Sequence, residues 1–117
     1  MDRPDKNHIQ SIIETIQELN DVYFEVVKKI YNANFLDAKK TFLGTDSLLE
    51  RVIVFSGVFD RDIFESKAFD LDRVNELMMK VIDSFEHNNP QAVVDLLLFD
   101  FSSALNEYAD QLEKVNS

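Results

Sequence analysis

The chain has 117 residues, 45% of them apolar, a formal charge of −10 and no cysteine. That size and composition suit one domain with its own core and exclude a disordered chain; the missing cysteine excludes disulfides, thiolate-bound zinc, iron–sulfur clusters and thiol catalysis. The acidity weighs against nucleic acid and anionic membrane surfaces as partners, since both are held mainly through Lys and Arg.

Two glycines and two prolines leave little turn chemistry for an all-β chain. Pro4 suits a first helical turn, and Asp5 beside it complements the helix dipole. Apolar residues then recur every three or four positions: Ile9, Ile12, Ile16, Leu19, Tyr23, Val26 and Ile30, with Ile13 and Val27 widening the stripe. The spacing predicts a helix over about residues 5–32, with Lys28 and Lys29 at its cation-favouring end and a stop at Asn32-Ala33-Asn34.

The next segment, Phe35 to Phe59, keeps a helical phase through Phe35, Ala38, Phe42, Leu49, Val52 and Phe59, interrupted at Thr45 and Ser56. Gly44 and the capping-box spacing of Ser47 and Glu50 allow a break there. A helix matching its neighbours in length favours continuity with a kink. The run "RVIVFSGVF" is rich in β-branched residues, yet no other segment offers a partner strand, so helix is expected. Residues 60–69, "DRDIFESKAF", are expected as the one long irregular connection.

Asp70 reads as a helix N-cap, with Phe69 and Val74 placed as a hydrophobic staple. Leu71, Val74, Met78, Val81 and Phe85 form the following stripe. In "HNNP", Asn88 suits a left-handed residue, Asn89 a cap and Pro90 a first turn. The last helix should reach Leu112–Val115. Four helices with short loops predict an all-α, antiparallel up-down four-helix bundle, a single domain over residues 1–117 with a kink or break in its second helix near Gly44.

Little here carries chemistry. The two histidines, His8 and His87, follow no Glu at the spacing a carboxylate-bridged metal pair needs; Asp5-x-x-His8 comes nearest. The segment from Asp60 opens like a calcium loop, but Phe64 and Glu65 occupy the fifth-ligand and glycine positions, and Leu71 stands where the bidentate Glu belongs. Ser56-Gly57 belongs to no nucleophile motif, and no Gly-rich phosphate loop occurs. His87 beside Glu86 suits a helix C-terminus rather than a general base. Lys28, Lys29, Lys39 and Lys40 cluster around the first turn as solvated cations or as a dock for an acidic surface. No catalytic, cofactor-binding or metal-ligating residue is expected, and no enzyme. "MDRPDKNHIQ" lacks a signal-like apolar stretch and no apolar run approaches the roughly 20 residues of a membrane span, so a cytoplasmic location is expected.

Between Val93 and Phe101 only Asp95 and Asp100 are polar. At 100° per residue, Val94, Leu97, Leu98, Phe101, Ala104, Leu105, Tyr108 and Leu112 share one face. Asp95 and Asp100 then lie about 140° apart, flanking Leu96 and Phe99 on the opposite face, with Ala92 and Ser103 above and below. These six residues, Ala92, Asp95, Leu96, Phe99, Asp100 and Ser103, form a candidate interaction patch. Two covers compete for it, the 60–69 loop through Ile63, Phe64 or Phe69 or another subunit or protein; the third reading is an exposed apolar pair with no role.

The segment "FEHNNPQAVVDLLLFDFSSALNEYADQLEKV" resembles small uncharacterised helical proteins of Gram-positive bacteria, in which a short Asn/Asp-rich turn leads into an aliphatic helix with acidic residues between. The resemblance covers the last third of the chain; it implies a helical bundle and no activity. The function expected is that of a non-catalytic module binding another protein or its own copy. A small-molecule-binding bundle with an aromatic-lined pocket, suggested by ten Phe and no Trp, is the alternative.

Overall fold

A computed structural model describes residues 4–117. About 85% of the chain is helix, with no strand among the described residues, so "RVIVFSGVF" is helical and tertiary context overrides its β propensity. Four rods alternate in direction as a bundle measuring 47 × 23 × 20 Å. The first is α1 (Lys6–Tyr31) and the second joins α2 (Phe35–Leu43) to α3 (Asp46–Phe64). The third is α4 (Leu71–Glu86). The fourth runs from α5 (Pro90–Asp95) through a π turn (Leu96–Phe101) into α6 (Ser102–Asn116). α1 packs along both the second and fourth rods, and α4 packs on α5 and the π turn, which sets α1 diagonally across from α4.

Side chains close the rod ends largely where the sequence placed them. Asp5 caps α1 by accepting from the His8 amide at 2.7 Å, so Pro4 stands just outside the helix rather than in its first turn. Asp70 caps α4 through the Arg73 amide at 3.1 Å, and Asn89 caps α5 through the Ala92 amide at 3.2 Å. Asn88 takes a left-handed φ of 52° and Pro90 opens the helix. Lys29 bridges the first turn, 2.9 Å from Asp37 and donating to Thr41 at 2.8 Å.

The second rod bends by 33° at residues 44–45. The bend does not use the Ser47–Glu50 capping box: Ser47 lies inside α3, Thr45 holds the cap position without a side-chain cap bond, and its hydroxyl donates back to the Phe42 carbonyl at 2.7 Å. Gly44 stays right-handed at φ −71°. The rod also outruns the sequence reading. α3 continues to Phe64, and the irregular connection shrinks to Glu65–Asp70.

Tyr23, Phe42, Phe85 and Phe101 give one ring from each rod to the middle of the core, with centroids 5.1 Å apart for Tyr23–Phe101 and 5.9 Å for Tyr23–Phe42 and Phe42–Phe85. Full burial of each such side chain contributes roughly 1.5–3 kcal/mol. A second aromatic group forms around the loop after α3: Phe69, only 2% exposed, packs edge-on against Tyr108 at 5.1 Å, with Phe64 beyond at 6.4 Å.

At the centre of that group is Asp60, 2% exposed. It lies near the negative end of the α3 dipole, where a carboxylate is disfavoured. Its compensation comes from outside α3. One oxygen accepts the Ala68 and Phe69 amides at 3.0 and 2.9 Å, and the other accepts the Tyr108 hydroxyl at 2.5 Å. Asp60 thus holds the loop into α4 against α6.

Burial pushes the phenols of Tyr23 and Tyr108 above the ordinary tyrosine range, and at Tyr108 the neighbouring Asp60 pushes the same way. Unfolded tyrosines titrate near about 10, so this contribution is complete below that pH and is lost as the pH rises beyond it. Thermal melts between about pH 9 and 11 should show falling stability, with a shallower fall in Tyr108→Phe. Equal slopes for the two proteins would contradict the assignment.

Candidate interaction surfaces

The π turn occupies the segment that carries the two aspartates. A π turn closes its hydrogen bonds at i→i+5, one residue more than an α turn, so every side chain after Phe101 lags about 100° behind a straight helix. That lag corrects the straight-helix phase. Ala109, which a straight helix sets just outside the edge of the core face, is buried, at 7% exposed. Asp95 and Asp100, read as about 140° apart, instead stand one π turn apart, as residues four apart do in an α-helix. Asp95 also accepts from Gln91 at 3.0 Å.

Of the six candidate residues, Asp95, Phe99, Asp100 and Ser103 are exposed, whereas Ala92 and Leu96 are half-buried, Leu96 packing on the edge of the core. Phe99 is 67% exposed. The 60–69 loop does not cover it: Phe64 and Phe69 pack toward Tyr108, and Ile63 is buried in the core. The patch is narrower than the sequence suggested, a single exposed ring beside two carboxylates that share one side of the helix.

A second surface was not anticipated. On α3, Glu50, Val54, Gly57, Val58 and Arg61 form an outward stripe at helical spacing, all exposed, with Val54 at 56% and Val58 at 45%. Grooves flank the stripe on both sides. One, about 400 Å³, lies between α1 and α3, where the His8 ring meets Phe55 and Phe59 edge-on at 5.0 and 5.4 Å. The other, about 450 Å³, runs past Gly57, Arg61 and Lys67 toward the buried Asp60. The β-branched run was the available signal, because its valines exceed what one core-facing stripe needs.

No group of three or more His, Cys, Asp or Glu able to hold a metal ion occurs among the described residues. No described helix is long and apolar enough to cross a membrane. No protein-family model matches the chain, and no curated protein or solved structure matches it either.

Proposed function

We propose that the protein is a non-catalytic, cytoplasmic interaction module, a four-helix bundle that docks another protein or its own copy through apolar side chains left outside the core. The observation that carries this reading is Phe99, 67% exposed beside Asp95 and Asp100 on the outer face of the π turn. π turns inside α-helices are frequent at functional sites. The aromatic groove beside His8, Phe55 and Phe59 favours the second reading, a small-molecule binder. Its apolar lining continues outward as the α3 stripe, which suits an extended partner better than an enclosed ligand.

A photo-crosslinker at Ser103, beside the patch, tests the reading in the native cell. Discrete protein adducts are expected from Ser103, absent when the crosslinker sits at the exposed Glu113 and lost on adding Phe99→Glu. Phe99→Glu itself should shift monomer stability by no more than about 0.5 kcal/mol. Identical adducts from both positions, or adducts indifferent to Phe99→Glu, would remove the patch from the reading.

A further inference from the structure

We propose that α3 pairs with α3 of a second copy, antiparallel about a two-fold axis between Phe55 and Ser56. The proposal rests on the interaction-module reading only in giving one of its surfaces to self-association; it uses the α3 stripe and not Phe99.

A two-fold interface must be self-complementary, so that residue i meets j and j meets i. The α3 stripe satisfies this in one register. With the axis at that point, Val54 of each copy faces Gly57 of the other, and Glu50 of each faces Arg61 of the other. Glu50 and Arg61 are eleven residues apart, so two opposite-charge contacts close the seam about 16 Å apart with the apolar contacts between them. Gly57 lets the backbones approach: a Cβ placed there meets nothing within 4 Å in the single chain, which leaves the space open for Val54 of the second copy. Val58 adds apolar surface beside each Gly57. A parallel pairing fails, because it sets Glu50 on Glu50 and Arg61 on Arg61.

Charge also selects this face. The molecule carries −10, so two copies repel over most of their surfaces. Along the exposed stripe from Ser47 to Arg61, Glu50 is matched by Arg51 and Arg61, leaving no negative excess. The flanking grooves receive the side chains that a helix laid along the stripe presents. A helix of 19 residues offers a seam of about 28 Å, which places the dimer among small, reversible interfaces.

Sedimentation velocity on the purified chain, from micromolar concentrations to about 1 mM, tests the pairing. Wild type should move from the 13.6 kDa monomer toward twice that mass. Glu50→Arg and Arg61→Glu should each weaken dimerisation about tenfold or more, because every like-charge contact occurs twice. An equimolar mixture of the two variants should recover a dimer at least as tight as wild type, since both of its contacts are again opposite in sign. Val54→Glu should be monomeric with an unchanged far-UV spectrum, which keeps the test intact if a charge variant folds poorly. A wild type that stays monomeric at about 1 mM, single variants that dimerise like wild type, or a mixture that fails to recover would each overturn the pairing. A dimer surviving Glu50→Arg but lost in Phe99→Glu would overturn it while leaving the interaction module standing.

Discussion

Asp60→Ala is expected to lower stability by about 3–5 kcal/mol, a large share of what a domain of this size holds in reserve. Three donors converge on this one carboxylate: the Ala68 and Phe69 amides and the Tyr108 hydroxyl. Alanine leaves all three without their acceptor. The Ala68 amide can turn to water, whereas the Phe69 amide and Tyr108 hydroxyl lie in buried surroundings, where each lost bond costs roughly 1–3 kcal/mol. Losing the tether also frees the loop that seats Phe69 against Tyr108. Asp60→Asn should cost less, because its oxygen can keep the two amides while its amide group faces the Tyr108 hydroxyl. Tyr108→Phe strips one partner from a buried carboxylate and should fall between. Chemical denaturation of the three variants checks the order. An alanine variant within about 1 kcal/mol of wild type would mean the tether is not holding the loop.

Asp60 also shows where legibility in the sequence stops. Asp70 and Asn89 are legible as caps because each acts within three residues of itself, whereas Asp5 is legible only as a charge favourable to the helix dipole. Asp60 acts across eight, nine and 48 residues, and no local pattern distinguishes it from the solvated acids around it. The end of α3 was hidden for a related reason. Its left-handed terminal residue is Glu65, at φ 61°, where glycine or asparagine would have marked the stop. Four rods were legible because each carries its own 3.6-residue stripe, and the bend because Gly44 and Thr45 interrupt one. The candidate patch was legible only in part. A constant 100° per residue identified Phe99 as outward but could not register the π turn, whose extra residue is written in no single side chain. The α3 stripe is not legible because Val54 and Val58 stand in a β-branched run, a pattern that speaks to strand or helix and not to which valines face outward.

The π turn gives the second large effect, and it concerns two phenylalanines two positions apart. Phe101→Ala should cost about 3–5 kcal/mol, and Phe99→Ala should stay within about 0.5 kcal/mol. Phe101 is fully buried at the tail of the turn, 5.1 Å from the Tyr23 ring and 6.4 Å from Phe42, so truncation opens a cavity where rings from three rods meet. The surrounding rings cannot collapse into it without breaking their own contacts, which places the cost toward the upper end of the range. Phe99 is two-thirds exposed and loses almost nothing that water does not replace. Ala109→Glu extends the test to the phase shift itself. On a straight helix its side chain lies outside the core face and a charge there finds water easily; the lag after the π turn carries it inward, so the charge is buried and should cost more than 2 kcal/mol, about the size expected for an unpaired group. Equilibrium urea denaturation of the three variants measures all of these costs on one scale. If Ala109→Glu proved neutral while Phe101→Ala remained severe, α6 would follow the straight-helix phase, and Asp95 and Asp100 would return to opposite sides of Phe99.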